Sequence, residues 1–251
     1  MLKYILQSCA VLFVICMLSG CEKKNTAKDI ITPIDTLCER GIKYMDKGSY
    51  KRAARNFESI CLQHPRHSLV PYAELMEAYA YYKSEQYDRA IAAFRHFIKY
   101  YPAHDDVAYA YYMVGLSHIC SINDIHRDIS ALSKAKDSLS ELIKLFPETK
   151  YAQDSNQKIA TIDNYIAAKE MSIGVWYLGV RNAVGALSRF KTVATEYQHT
   201  PSYQESIYRM AEAYIVLGLT DEAAKCISEL ETKTPDSDWT RQCAKLISSL
   251  R

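Results

Sequence analysis

From Ile34 towards the C-terminus, apolar residues recur at steps of three and four, and short polar stretches interrupt them at regular intervals. That period places the apolar side chains on one stripe of an α-helix. The helical stretches come in similar pairs. The first pair reads Leu37, Gly41, Tyr44, Gly48, Tyr50, Ala53, Phe57 and Pro65; the second reads Ala78, Tyr81, Tyr87, Ala90, Phe94, Phe97 and Pro102, and the two align without gaps. A small side chain at Gly41 or Ala78 lets the two helices of a hairpin approach, Ala53 or Ala90 does so from the other side, and Phe57 or Phe94 fills the space between them. Proline cannot continue a helix without losing a hydrogen bond and clashing with the preceding turn, so Pro65 and Pro102 mark exits to the next pair.

Three further pairs follow. The third opens with Ala108 to Ile119 around Gly115, carries a polar insertion from Ser121 to Ser130, and closes with Ala135, Leu139, Leu142 and Pro147. The fourth begins with a long helical pattern from about Tyr151 through Trp176 and Tyr177, then Ala186, Phe190 and Val193, with Gln198 where proline is expected. The fifth is regular, with Ala211, Tyr214, Gly218, Ala223, Ile227, Leu230 and Pro235. A repeat of roughly 34 residues in this order of residue types is similar to the tetratricopeptide repeat. The expected fold is therefore all-α: a tetratricopeptide-repeat solenoid of about five helical hairpins, sealed by a C-terminal capping helix that Asp238 starts and that runs to Arg251. Only 8 Gly and 7 Pro punctuate the chain, which favours helices over many short strands.

The N-terminus departs from this pattern. Lys3 precedes an apolar run from Ala10 to Leu18, and the polar residues Glu22 to Asn25 follow at once. That run is shorter than the roughly 20 apolar residues a membrane span needs, so it reads as a signal peptide. Leu18-Ser19-Gly20-Cys21 resembles the bacterial lipobox, which makes Cys21 the expected lipidation site. Several acyl chains would anchor the chain stably, at about 0.8 kcal/mol per buried methylene. The expected organisation is a signal peptide at 1–20, a lipidated N-terminus and tether at 21–33, repeats one to three at 34–148, and repeats four and five with the capping helix at 149–251.

Charge and chemistry narrow the function. The formal charge is +2 and the two signs are interleaved, so nothing calls for nucleic acid. Five cysteines remain beyond Cys21, an odd number that defeats a complete disulfide framework; Cys38, Cys61, Cys120, Cys226 and Cys243 read as buried small hydrophobes, with a Cys226–Cys243 bridge as the alternative. Cys61, His64 and His67 have the spacing of zinc ligands, but they straddle Pro65 and lack a fourth. His104 with Asp105 and Asp106 could be taken for a catalytic pair; no nucleophile elbow or oxyanion hole accompanies them, and a helix N-terminal cap is the better reading. No glycine-rich loop, metal set or catalytic triad is present, so no cofactor, no metal and no enzymatic activity are expected.

Specific strings carry a family resemblance across nearly the whole mature chain. Together with the lipobox, Ala78-Tyr79-Ala80-Tyr81-Tyr82, Phe97-Ile98-Lys99-Tyr100-Tyr101-Pro102-Ala103-His104 and Tyr109-Ala110-Tyr111-Tyr112-Met113-Val114-Gly115-Leu116 resemble the BamD (ComL) lipoproteins of the outer-membrane β-barrel assembly machinery. The resemblance implies a lipid-anchored scaffold on the periplasmic face of the outer membrane of a Gram-negative bacterium. It implies as partners the POTRA region of a BamA-type insertase, other assembly lipoproteins and unfolded barrel precursors. Arg189 stands where the family places an arginine implicated in holding the POTRA domain. In such repeats the first helix of each hairpin lines the groove, which gives Tyr72, Leu75, Tyr79, Tyr82, Lys83, Tyr109 and Tyr112 as the expected client lining, Lys83 meeting a client carboxylate. Another envelope repeat lipoprotein, serving division or pilus assembly, is the competing expectation.

Overall fold

The computed structural model describes residues 31–122 and 129–248, and every regular element among them is helical. Five antiparallel hairpins succeed one another: α1 (Ile34–Asp46) with α2 (Tyr50–Gln63), α3 (Val70–Lys83) with α4 (Tyr87–Tyr100), α5 (Val107–Cys120) with α6 (Ile129–Leu145), α7 (Lys150–Gly179) with α8 (Ala183–Glu196), and α9 (Ser202–Val216) with α10 (Thr220–Lys233). A last helix, α11 (Asp238–Ser248), packs on α9 and α10. Each helix packs chiefly on its neighbours in sequence. That is the contact pattern of a solenoid.

The repeat is longer than the expected 34. Gly41, Ala78 and Gly115 are spaced by 37 residues, as are Gly174 and Ala211. These are the crossing points. A Cβ on Gly41 would stand 2.7 Å from the Phe57 ring, one on Gly115 2.4 Å from Leu139, and one on Gly174 2.4 Å from Phe190. The three partners are fully buried, so each hairpin closes by seating a large side chain of its second helix on bare backbone of its first. Gly174 lies deep in the 30-residue α7 and supplies the fourth crossing.

Both kinds of turn repeat as well. Within hairpins one, two, four and five, the second residue after the first helix takes a left-handed conformation: Gly48, Glu85, Arg181 and Gly218. The next N–H then bonds back to a tyrosine carbonyl, Ser49 to Tyr44, Gln86 to Tyr81, Asn182 to Tyr177 and Leu219 to Tyr214, at 2.8–3.0 Å. This satisfies a helix-end carbonyl that would otherwise lack a partner. Between hairpins, the closing N–H of His64, Tyr101, Phe146, Tyr197 and Thr234 bonds four residues back in all five cases. Gln198 in place of proline therefore leaves the fourth exit unchanged, its amide bonding the Ala194 carbonyl at 3.1 Å.

Several expectations need correction. Ser237, not Asp238, caps α11: its Oγ accepts the Thr240 N–H at 3.1 Å while Asp238 is already helical. Ahead of α5, His104 Nδ1 accepts the Asp106 N–H at 3.1 Å, and Asp106 makes no side-chain cap bond. All five cysteines of the body are free thiols, including Cys226 and Cys243. Those two are buried, Cys38 and Cys61 are half-buried, and Cys120 is exposed rather than a core residue. Cys61 donates to the Phe57 carbonyl at 3.4 Å and His67 accepts the Leu69 N–H at 3.2 Å; among the described residues no group of three His, Cys, Asp or Glu could hold a metal. Cys21 and most of the Ser121–Ser130 insertion lie outside the described residues. The expected boundary at 148/149 falls in the turn between α6 and α7.

Two acidic side chains, Asp163 in the core and the half-buried Glu77, sit differently. Asp163 on α7 is almost wholly buried yet doubly matched, by Lys136 Nζ of α6 at 2.6 Å and His199 Nε2 of the α8–α9 turn at 3.0 Å, so one side chain ties hairpins three and four to the turn that leads into hairpin five. Glu77 on α3 has no such match. Burial, with Glu58 and Glu74 nearby, pushes its carboxyl up to about 7 against the pull of Tyr81 and Arg89.

Gly174→Ala is expected to lower unfolding free energy by up to about 2 kcal/mol, because overpacking of about 1–3 kcal/mol opposes a helix-propensity gain of about 1 kcal/mol. Gly179→Ala, which faces open space, should be neutral or slightly stabilising; urea melts giving equal stability for the two would show that Phe190 yields freely. The raised Glu77 pKa means the folded state holds its proton longer than the unfolded chain does. Its contribution is full below the unfolded value and is lost as pH rises towards about 7. Glu77→Gln should therefore match the wild type at pH 4 and exceed it at pH 8, and parallel pH–stability curves would refute the assignment.

Candidate functional site

The first helices of neighbouring hairpins approach one another directly, α5 with α7 and α7 with α9. Their shared face carries the tyrosines. Tyr72 and Tyr109, one repeat apart, stand edge-on to Phe57 and Phe94, with ring centroids 6.4 and 6.3 Å apart and planes at 87° and 89°. The phenylalanine that closes each hairpin thus also props a groove tyrosine upright. Tyr79 stacks on Tyr82 at 6.4 Å, Tyr82 meets Tyr87 edge-on at 5.9 Å, and the Tyr82 hydroxyl lies 3.5 Å from Cys120 Sγ. The row continues onto α7, where Tyr151 lies between Tyr109 and Tyr112 at 5.6 and 5.4 Å.

Burial raises the pKa of Tyr82, Tyr109 and Tyr112, and neighbouring phenols reinforce it. Tyr82, Tyr109 and Tyr112 therefore present neutral hydroxyls at physiological pH. Tyr112 donates to Asp154 Oδ2 at 2.5 Å, and that bond, with Lys158 at 3.3 Å, holds the Asp154 carboxyl below its ordinary value. Beyond this pair a cleft of about 530 Å³ opens between α5 and α7, with Leu116, Ile119, Cys120 and Tyr165 on its walls and buried Leu132 and Ile162 beneath. Flat rings, hydroxyl tips and an apolar cleft together suit an extended chain carrying large side chains.

Four of the seven expected lining residues come together here, Tyr79, Tyr82, Tyr109 and Tyr112, while Tyr72 stands one repeat before Tyr109 against Phe57 of the first hairpin. Leu75 does not join them, being 8% exposed and part of the core. Lys83 does not either: its ammonium lies 5.6 Å from the Tyr50 ring, in a cleft with Gly48, Arg52 and Glu85 at the first hairpin's turn. The cations at this face are Lys150, whose ammonium lies 5.2 Å from the centre of the Tyr151 ring, and Lys158, which pairs with Asp154. Tyr151, Asp154 and Lys158 were missed, although their three- and four-residue spacing at the start of a long helix puts them on one face.

Arg189 lies apart, on α8. Its Nη1 reaches both oxygens of Glu170 on α7, at 3.1 and 3.5 Å, and the Tyr177 hydroxyl also meets the guanidinium. Glu170 raises the arginine's pKa further, so the charge is permanent. The Glu170 side chain is 10% exposed and the Arg189 side chain 42%, so a buried carboxylate aims an outward-facing arginine fork.

The family model YfiO, described as an outer membrane lipoprotein, matches residues 32–250. The chain belongs to this family. Proteins named outer membrane protein assembly factor BamD are similar to it over most of their length. One from Rickettsia prowazekii (strain Madrid E) is 41% identical over 240 residues, 96% of each chain. One from Caulobacter vibrioides is 31% identical over 95% of this chain and 79% of its own, and one from Neisseria gonorrhoeae 29% over 88% and 89%. A solved tetratricopeptide-repeat protein from Thermus thermophilus overlays with a TM-score of 0.38 at 17% identity, covering 86% of this chain and 99% of its own. The family match spans both the tyrosine wall and Arg189.

Proposed function

We propose that the chain is a scaffold lipoprotein of the outer-membrane β-barrel assembly machinery, anchored through Cys21 on the periplasmic face of the outer membrane. Hairpins one to three, extended by the start of α7, receive segments of unfolded barrel precursors. Hairpins four and five hold the POTRA region of a BamA-type insertase, with Arg189 as a contact, and other assembly lipoproteins join the same complex. The part played is binding and positioning rather than catalysis.

The observation that carries this reading is the tyrosine wall from Tyr79 to Tyr151, which packing leaves partly open in a chain so similar to proteins named as assembly factors. A barrel strand alternates apolar and polar side chains, and rings with hydroxyl tips can meet both. Among the described residues no helix is long and apolar enough to cross a membrane, which agrees with attachment by lipid.

The double variant Tyr79→Ala/Tyr82→Ala, monitored for an unchanged melt, should bind a labelled peptide from a barrel protein's C-terminal strand at least about tenfold more weakly, the scale of an aromatic contact residue. Undiminished affinity in the folded variant removes the client groove. For the other half, Arg189→Ala should lower recovery of the insertase from solubilised membranes. Glu170→Gln, which loosens the internal pair but keeps the cation, should lower it much less. Equal losses would mean that Arg189 acts only by holding α8 to α7.

A further inference from the structure

A cleft of about 560 Å³ opens between the turns of hairpins one and two. Lys51, Arg52 and Lys83 line it, all three exposed, and none forms an ion pair among the described residues. Glu85, the one carboxylate on its walls, pairs with none of them. What steadies two of the charges is aromatic: the Arg52 guanidinium lies 5.8 Å from the centre of the Tyr44 ring and the Lys83 ammonium 5.6 Å from that of Tyr50. The cleft also holds the start of α2, whose first turn carries no acidic residue and whose Ser49 makes no side-chain cap bond. The other turns compensate this end of the second helix. Asp88 stands in the first turn of α4, Asp221 and Glu222 in that of α10, and Asn182 accepts the Gly185 N–H at 2.9 Å at the start of α8. Cations beside the positive end of a helix are unfavourable, and three in one cleft also repel one another. Folding gains nothing from this arrangement, and a bound anion relieves it.

We propose that this cleft holds the phosphate of an anionic lipid headgroup, so that the chain meets the membrane at a second point besides its acyl anchor. The choice of a lipid over another anion rests on the reading of Cys21 given above. The twelve residues from Glu22 to Pro33 can span at most about 40 Å, and the 13-residue α1 is about 20 Å long, so this turn is within reach of the leaflet that holds Cys21. A phosphate offers several oxygens at once, which the planar fork of Arg52 and the ammonium groups of Lys51 and Lys83 can share. Tyr50 suits the headgroup level, where an aromatic ring with a hydroxyl tip meets both apolar and wet surroundings. The site is separate from the tyrosine row, since Tyr82, one residue before Lys83, turns to Cys120 of α5.

The test is flotation of the full mature chain, carrying Cys21→Ser so that no acyl chain contributes, with vesicles of phosphatidylcholine alone or with about one-third phosphatidylglycerol in 100 mM salt. The chain should prefer the anionic vesicles. Arg52→Gln/Lys83→Gln should weaken that binding roughly 30-fold, the scale of two cations lost at an anionic surface, with an unchanged melt because both side chains are exposed. Lys51→Glu, at a side chain that meets neither ring, should weaken it as much and carries the test if loss of the ring contacts disturbs the turn. Lys99→Gln/Lys144→Gln removes the same charge from two other exposed lysines and should weaken it little. Equal losses in that control mean diffuse attraction and overturn the proposal, as does the absence of any preference for phosphatidylglycerol. Saturable binding of inorganic phosphate without vesicle binding, or loss of barrel-peptide affinity in place of vesicle affinity in the Arg52→Gln/Lys83→Gln chain, assigns the cleft to a soluble phosphate or to the client and equally overturns it. The mass of the native chain tests the anchor separately: a Cys21 without acyl groups removes the anchor, while a vesicle preference that depends on Arg52 and Lys83 upholds the cleft.

Discussion

Each hairpin depends on one contact, in which a large side chain of the second helix seats against a small residue of the first. At Gly41, Gly115 and Gly174 the distance leaves no room for a methyl group, and Phe57, Leu139 and Phe190 are buried completely. Emptying one such seat costs about 3–5 kcal/mol for a phenylalanine, a large part of the roughly 5–15 kcal/mol that holds a typical domain together. In a stack whose units touch mainly their neighbours, that loss is not spread over a common core. The rest of the architecture is placed by these seats. They fix the helix separation, the edge-on prop under Tyr72 and Tyr109, and the face on which the tyrosine row appears.

The seats also explain what could be read in the chain. Small residue, tyrosine, alanine, aromatic and proline are each imposed by a local steric demand, so hairpins one, two and five announce themselves. Gly174 was hidden because α7 runs for 30 residues as one helix, with no turn inside it to set the register. The proline exits proved less necessary than their regularity suggested. The same backbone bond closes the turn at Tyr197, where Gln198 follows, as at Tyr101, where Pro102 follows. Proline forbids continuation, but the helix also ends where the core it covers ends.

The groove was half legible for a different reason. Tyrosines at helical spacing show that a face is aromatic; they do not show which neighbour each side chain turns towards. Tyr82 and Lys83 are adjacent in sequence and therefore diverge by about 100° around the helix, one towards α5 and the other towards hairpin one. Leu75 and Tyr112 occupy the same place one repeat apart, yet only the longer side chain carries a hydroxyl out to Asp154. Tyr151 joins the row from a helix some forty residues away in sequence. A pattern confined to one helix cannot contain such a contact; it exists only once neighbouring first helices are brought together.

A repeat scaffold separates what folding requires from what the surface offers, and the hairpin turns make that separation plain. Tyr44, Tyr81, Tyr177 and Tyr214 accept the same hydrogen bond, and the left-handed position that follows takes glycine, glutamate or arginine. A non-glycine residue there costs about 1–2 kcal/mol, and Glu85 and Arg181 bear that cost without any change in the path of the chain. With the backbone held by its own carbonyls, the turn side chains vary, although Ser84 still bonds the Tyr81 carbonyl and Asn182 caps the helix that follows. In hairpins one and two they are polar; hairpin four exposes Val180 beside Arg181, and hairpin five exposes Leu217 and Leu219. Two different surfaces thus stand on one unvarying geometry, because the bond that recurs at all four turns runs from backbone to backbone.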